Sequence, residues 1–400
     1  MLPIYSFGSI SYMLVGIVGK TNVGKSTFFK AATLANVEIA NYPFTTIDAN
    51  HGVAYVRSPC VCKGLGVSCG VCKDGIRFIP IGLIDVAGLV PEAHKGRGLG
   101  NQFLDHLRQA DAILHILDAS GSTDAEGNPV GAGTHNPAGD IEFLEYEMSM
   151  WLYGILEKHW SKIQRSSQGK SSSLVTAIAE LIAGLGFTVE QVRAVDLEAG
   201  IDLAKAQEPE LVQFCRRLLS VAKPMMIVGN RVDEASDALV DGLRGKGVHF
   251  ATSAGELALR NATSAGLLKY LPGDPAFTIL KPEVLNPAQK AGLERIAGVM
   301  RKFNGTGVQE ALNHAIFSLL DLMVVYPVED EHKFSDSQGR VLPDAFLMKK
   351  GSTPRDLAFR VHTEIGQGFL YAVDARTKMR VKDTHQLKNG DVIKIVSTRR

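Results

Sequence analysis

The run Gly19-Lys20-Thr21-Asn22-Val23-Gly24-Lys25-Ser26 is a complete GxxxxGKS signature, set between an apolar segment at residues 14–18 and a helix-forming stretch at 27–33. Strand, glycine-rich loop and helix in that order constrain the chain strongly. The loop's N–H groups must turn inward at the amino end of a helix, where the dipole favours an anion. Gly19 and Gly24 free the backbone to close around a polyphosphate, and Val23 and Thr27 belong to the same cradle. Lys25 reaches the β- and γ-phosphates, and the Ser26 hydroxyl is placed to ligate Mg²⁺. Such a loop predicts a doubly wound, mostly parallel α/β sheet of the P-loop NTPase kind, with nucleotide at the carboxyl ends of the strands.

Later motifs fit that frame. Asn41-Tyr42-Pro43-Phe44-Thr45-Thr46-Ile47-Asp48 is a polar, proline-punctuated loop, and Thr46 is expected to close on Mg²⁺ when a γ-phosphate is present. Residues 81–88 form an apolar strand ending in DxxG, where Asp85 holds Mg²⁺ through water and the Gly88 N–H senses the γ-phosphate. Lys25, Thr46 and Gly88 are therefore the catalytic candidates, with Ser26, Thr46 and Asp85 as Mg²⁺ ligands. Apolar strands follow at 112–117 and 224–228, the second ending in Asn230-Arg231-Val232-Asp233. The Asp233 carboxylate can accept from guanine N1–H and its exocyclic amine. Adenine offers no such donor pair, and the wrong base leaves a carboxylate unpaired. Arg231 brings an aliphatic stem and planar guanidinium that can cover a base face. Ser253 and Ala254, in the turn after Thr252, present backbone to the guanine O6.

The blocks GKTNVGKST, NYPFTTIDAN, DVAGLVPEAHKGRGLGNQFLDHLR and NRVD resemble the Obg-like family of translation-factor GTPases. They are closest to its YchF branch and to an archaeal-type subgroup of it, over roughly residue 13 to the C-terminus. The resemblance implies a GTP-hydrolysing switch associated with the ribosome. Leu89 stands where Ras-like GTPases carry the glutamine that orients water, so intrinsic hydrolysis is expected to be slow. The family shares this hydrophobic replacement, and water positioning must come from backbone, a reorganised switch, a cation or a partner. In related GTPases an asparagine at the place of Asn22 recruits K⁺ between the phosphates, and the alternative is an asparagine that caps a turn. The YchF branch commonly has glutamate in place of the last aspartate of NxxD and prefers ATP. This chain keeps Asp233, so GTP is expected. ATP hydrolysis stays open, as does a nucleotide-tuned RNA-binding or ribosome-binding module with little turnover. Residues 93–100, with three glycines, suit a second switch that levers a helix at 101–108. Nothing in the spacing of His94, His115 and His135 singles out a catalytic histidine.

At 400 residues the chain exceeds one ordinary core. A first part of the G domain is expected at 13–135, an inserted helical arm at 136–222, the second part with connecting helices at 223–325, and a TGS domain at 326–400. The arm has helices at 142–163, 171–184 and 188–195, the last with a Thr188-x-x-Gln191 capping box, and is a candidate partner surface. The final segment reads as short strands at 341–347, 369–372 and 392–396 with a helix near 354–362 and an Asn389-Gly390-Asp391 turn. It resembles a TGS module, a β-grasp unit associated with RNA or ribosome contacts. Residues 331–400 hold fourteen Lys and Arg against eight Asp and Glu, and Lys349, Lys350, Arg376, Lys378, Arg380 and Lys382 can meet phosphates.

Cys60, Cys62, Cys69 and Cys72 form C-x-C-x₆-C-x-x-C, outside which only Cys215 lies. Structural Zn²⁺, one or two disulfides, and free thiols are the three readings, and a redox or metal sensor gating the G domain is a further one. A net charge of +1 excludes a generic polyanion binder. No apolar run is long enough to span a membrane, so a cytoplasmic protein, and a monomer, is expected. Met13 stands where a start codon would fall, and residues 1–12 lack the features of a signal peptide, so they are taken as a poorly ordered extension.

Overall fold

Leu14–Val18 (β1) is buried at every position after its first, so it needs a partner on each edge and cover on both faces. It pairs in parallel with Ile76–Asp85 (β3) on one side and Ala112–Asp118 (β4) on the other. Met225–Asn230 (β5) and His249–Phe250 (β6) extend the sheet in parallel, and His51–Pro59 (β2) closes the opposite edge antiparallel to β3. The resulting order, β2-β3-β1-β4-β5-β6, reverses direction of growth at β1, which places the crevice for a ligand at the end of that strand. This computed structural model describes residues 13–34, 50–86, 88, 91–95, 108–167 and 171–398. Residues 1–12, Thr46, Leu89 and the helix expected at 101–108, save its last residue, lie outside the described residues.

The phosphate-loop helix Lys25–Thr33 (α1) starts two residues earlier than its periodicity suggests. Gly24 takes the left-handed conformation as its cap, so Lys25 and Ser26 are already in the first turn. The connection after β4 holds four helices, Ala138–Ser167 (α2), Ser171–Ile182 (α3), Val189–Ala199 (α4) and Glu208–Ala222 (α5). Thr188 and Gln191 form the expected capping box. The fourth helix is an addition to the sequence reading, although Leu211, Phe214, Cys215, Leu218 and Leu219 follow helical spacing and are all buried. Leu144, Met148, Leu152, Ile178 and Phe214 share one core with Val18, Ile84 and Ile113 of the sheet. The arm is thus packed on the sheet as part of its cover.

Asp237–Arg244 (α6) and Ser253–Ser264 (α7) flank β6, and a two-residue ladder joins Leu268–Lys269 (β7) to Thr278–Ile279 (β8). Pro287–Phe303 (α8) and Val308–His314 (α9) lead to the second sheet. That sheet contains Leu322–Val328 (β9), Phe346–Lys349 (β10), Phe369–Asp374 (β11), Met379–Val381 (β12) and Val392–Ser397 (β13) in the order β10-β9-β13-β11-β12. The helix Pro354–Val361 (α10) packs across it. Strand β9 belongs wholly to the second sheet, which therefore begins at Leu322, four residues before the domain start expected at 326. Leu322, Met323, Val324, Val325 and Tyr326 are all buried, so no alternation marks the strand and the run reads as a helix continuing. The strand expected at 341–347 is likewise confined to its end: Val341 makes one isolated bridge to Ser335.

One buried polar network supports the nucleotide half. Glu256 on α7 is fully buried and accepts from Arg260 Nε, Tyr270 Oη and Thr306 Oγ1, each at 2.6 Å. Arg260 Nη1 in turn donates to the Ala32 and Leu34 carbonyls at the end of α1, which have no partner within that helix. Glu256→Ala removes the buried acceptor shared by Arg260, Tyr270 and Thr306, and a loss of about 3–5 kcal/mol in urea-unfolding stability is expected. A loss under about 1 kcal/mol would show the network to be dispensable.

Candidate functional site

Asn230, at the end of β5, is 2% exposed and bonds in two directions. Its Nδ2 donates to the Val23 carbonyl at 3.0 Å, and its Oδ1 accepts from the Ser253 N–H at 3.1 Å and the Ser253 hydroxyl at 2.7 Å. A side chain at Gly24, which lies at φ 93°, would collide with the Asn230 amide. The motif glycine is thus set both by the loop's conformation and by what stands behind it. Ser253 spends its N–H and hydroxyl on Asn230, so it positions the base-reading segment, while Ala254 stays exposed beside it at the start of α7.

Within the cradle Lys25 is buried, and its ammonium donates to the Lys20 carbonyl at 2.5 Å. Burial lowers its pKa to about 8, with Asp85 pulling the other way. Ser26 Oγ donates to Asp85 Oδ2 at 2.9 Å, which brings the two expected Mg²⁺ ligands into contact. Gly88 lies against the same place, where an added Cβ would meet Thr21 Cγ2 at 2.8 Å and Lys25 Nζ at 3.1 Å. Thr27 is half-buried in the first turn of α1.

Three of the four variable positions of the phosphate loop are held by the segment that follows β4. Lys20 Nζ donates to the Asp124 carbonyl at 2.6 Å and to Asp140 Oδ1 at 2.8 Å, with the pair almost fully buried. Thr21 Oγ1 donates to the Glu126 carbonyl at 3.3 Å, and Asn22 Nδ2 to the Gly127 carbonyl at 2.9 Å. A side chain at Gly127 would collide with the Thr21 hydroxyl, so residues 124–128 lie directly on the loop. Asp118, at the end of β4, accepts from the Ser120, Ser122 and Thr123 hydroxyls and from Arg231 Nη1 at 3.0 Å. Burial alone would raise the Asp118 carboxyl; these donors outweigh it and hold the group below its usual range. Arg231, in the left-handed region at φ 59°, also donates through Nη2 to the Asn22 carbonyl at 2.7 Å. Its guanidinium is committed to bracing the loop, which leaves the stem as the part able to cover a base.

Asp233 is half-buried in the turn Val232–Glu234 and makes no side-chain hydrogen bond among the described residues. The sequence reading did not reach Lys20, Asp118, Asp140 or the strap at 124–128. The signal available for them was a lysine inside the phosphate loop and the hydroxyl-rich Asp118-Ala119-Ser120-Gly121-Ser122-Thr123 after a buried strand. The three histidines separate clearly. His115 is fully buried in β4, where desolvation and then Lys20 and Lys25 push its pKa down to about 3. His135 Nε2 lies 2.9 Å from Asp140 Oδ1. His94 Nδ1 lies 2.7 Å from Glu147 Oε2, and the same carboxylate accepts the Glu92 N–H at 2.9 Å and the His94 N–H at 3.1 Å. Glu147 belongs to α2, so the chain just beyond DxxG is tied to the arm.

The four clustered thiols lie elsewhere, at the tip of the β2–β3 hairpin, with their sulfurs all within 4.8 Å of one another. In the second sheet, Arg380 stacks over the Tyr371 ring at 4.0 Å on the β12 edge, while Arg376 Nη2 donates to the Gly390 carbonyl and Lys350 pairs with Asp321. Lys349 and Lys382 are exposed.

Three family models match the chain: a 50S ribosome-binding GTPase over residues 14–138, the G4 motif-containing domain of the YGR210-like Obg-like GTPases over 228–330, and a TGS domain over 338–397. An uncharacterized GTP-binding protein of Methanocaldococcus jannaschii is 48% identical over 393 residues, which covers 96% of this chain and 99% of that protein. The ribosome-binding ATPase YchF of Bacillus subtilis is 28% identical over 369 residues, 90% of this chain and 87% of that protein. Among solved structures, a GTP-binding protein from Pyrococcus horikoshii superposes with a TM-score of 0.74 at 40% identity, covering 96% of this chain and all of that one. With the phosphate loop, DxxG, NxxD and TGS elements in place and a full-length relative nearly half identical, the chain belongs to the Obg-like GTPases of the YchF branch.

Proposed function

We propose that this protein is a Mg²⁺-dependent GTPase that couples the state of its nucleotide to a ribosome contact made by the arm and the TGS domain. The observation that carries the reading is the convergence of Lys25, Gly88 and the Ser26–Asp85 pair at one end of a cradle whose other end presents Asp233. Mg²⁺ at Ser26 and Asp85 supplies positive charge to the β- and γ-phosphates when bound. Lys25 exchanges the Lys20 carbonyl for phosphate oxygens, and an anion beside it restores the ammonium that burial disfavours. The Gly88 N–H is placed to report the γ-phosphate. Four and six residues on, Glu92 and His94 hand that state to Glu147, and so to α2. K⁺ at Asn22 would use Oδ1, since the bond to Gly127 fixes the orientation of the amide.

Two features support the ribosome contact. The Bacillus relative is named ribosome-binding, and the β12 edge leaves Lys378, Arg380 and Lys382 exposed beside Met379 at 67% and Leu370 at 54% exposure. That mixture of charge and apolar surface suits a nucleic-acid backbone with adjacent bases.

A binding panel of GTP, ATP and their diphosphates tests the base assignment. GTP is expected to bind tighter than ATP, and Asp233→Ala to weaken GTP about 10- to 100-fold, the loss of hydrogen bonds to a charged acceptor. Equal or tighter ATP binding in the unaltered protein would make this chain an ATPase like its Bacillus relative. Turnover in K⁺ is expected to exceed turnover in Na⁺, whereas equal rates would remove the cation from Asn22. Ribosomes are expected to stimulate turnover in a salt-sensitive manner, and Glu147→Ala to abolish the stimulation while leaving GTP affinity within about twofold. Stable GTP occupancy without stimulation would favour a binding module that nucleotide merely tunes.

A further inference from the structure

We propose that Cys60, Cys62, Cys69 and Cys72 bind one Zn²⁺ as a tetrathiolate and that this ion fastens the β2–β3 hairpin tip to the TGS domain. The sulfur separations decide between a metal and disulfides. Cys60 and Cys69 are 3.8 Å apart and Cys62 and Cys72 3.6 Å, with all four inside 4.8 Å. A tetrahedral Zn²⁺ with Zn–S of about 2.3 Å separates its sulfurs by about 3.8 Å. A disulfide needs about 2.05 Å, and bonding in pairs would leave no reason for the two pairs to converge. The enclosed space suits a single ion, and four sulfurs exclude the oxygen-seeking Mg²⁺ and Ca²⁺.

The backbone is shaped for such an ion. Gly70 takes φ 66° between Cys69 and Cys72, and the Cys72 N–H donates to Cys69 Sγ at 3.4 Å. Cys62 begins a second tight turn, Lys63–Leu65, which Gly66 closes in the left-handed conformation. The Cys60 N–H donates to the Gly75 carbonyl at 2.8 Å, which pins the base of the loop. Cys60, Cys62 and Cys69 are each under 9% exposed. Tyr326, whose buried hydroxyl has no hydrogen-bond partner among the described residues, packs in one core with Cys60, Cys62 and Cys69. Arg77, 3% exposed and facing the same tyrosine, offsets part of the negative charge of a tetrathiolate site.

The same residues join two domains. Arg77 donates to the Leu342 carbonyl at 3.0 Å and the Pro343 carbonyl at 2.6 Å. Val61, between the first two cysteines, packs against Gly390, where an added Cβ would lie 3.3 Å from its Cγ1. Cys60, Cys62 and Cys69 share a core with Tyr326, Leu342 and Val392 of the second sheet. Residues 60–75 contain one short turn of helix and little else, so holding them costs backbone entropy. Metal binding can offset that cost directly.

Elemental analysis and native mass spectrometry of the full chain test the site. About one zinc per chain is expected, with Cys69→Ser and Cys72→Ser each losing at least about 90% of it while GTP affinity is unchanged. Less than about a third of an equivalent of zinc, a matching amount of iron, or a mass lowered by disulfide formation would overturn the site. Hydrogen exchange tests the fastening in the unaltered protein, so that it does not depend on the variants folding. Zinc is removed with an organomercurial, mercury is displaced by excess thiol, and zinc is then restored. Amides of β9 and of residues 387–392 are expected to exchange at least about tenfold faster without zinc and to recover with it. Exchange that ignores zinc would overturn the fastening.

Discussion

The distance between the phosphate cradle and the base-reading turn is set by one buried amide. Asn230 donates to the loop through Val23 and accepts from Ser253, so a single rigid group fixes three segments that are remote in sequence. Because Asn230 is buried, its removal would strand the Val23 carbonyl and the Ser253 donors away from water, at about 1–3 kcal/mol for each unsatisfied group. Gly24 is the counterpart of that contact. The loop can approach so closely only where no Cβ stands between its backbone and the amide.

With that distance fixed, the segment after β4 can hold the loop from the other side. Lys20, Thr21 and Asn22 bond to residues 124–127, and Arg231 ties Asn22 to Asp118. The cradle is therefore braced by the chain's own hydrogen bonds, which reduces the ordering that nucleotide binding must supply. Two carboxylates on α2 complete the arrangement. Asp140 holds Lys20 and Glu147 holds Glu92 and His94, seven residues apart and thus about two turns along one face. One side of one helix touches both the phosphate loop and the chain beyond DxxG, so a displacement of either relative to the other must be felt along α2.

What was legible in the sequence follows from where chemistry demands neighbours in the chain. The cradle, DxxG, NxxD and the thiol cluster each need several groups within a few residues, so each stands out as a local pattern in the sequence. The strap was hidden because its bonds span more than a hundred positions, as between Lys20 and Asp140, and neither residue belongs to a local pattern. Strand β9 was hidden for another reason. It is buried on both faces, so period two disappears and the run looks like the helix before it. The arm's fourth helix had a clear apolar stripe and a Gln207–Glu210 capping box, and a count of stripes would have found it.

The β2–β3 hairpin links the two halves of this molecule by contact, in addition to the connecting helices. Strand β3 carries Asp85 at one end and, nine residues away, ends at Ile76 beside the thiol loop. At about 3.3 Å per residue it spans roughly 30 Å, and its neighbour β2 pairs with it along its whole length. Arg77, one residue inside that far end, bonds to two carbonyls of the TGS region. A paired strand resists bending far better than a loop, so a shift at the Asp85 end cannot be absorbed locally without breaking ladder bonds. Through its docked tip, β3 thus ties the second sheet to the strand that carries Asp85.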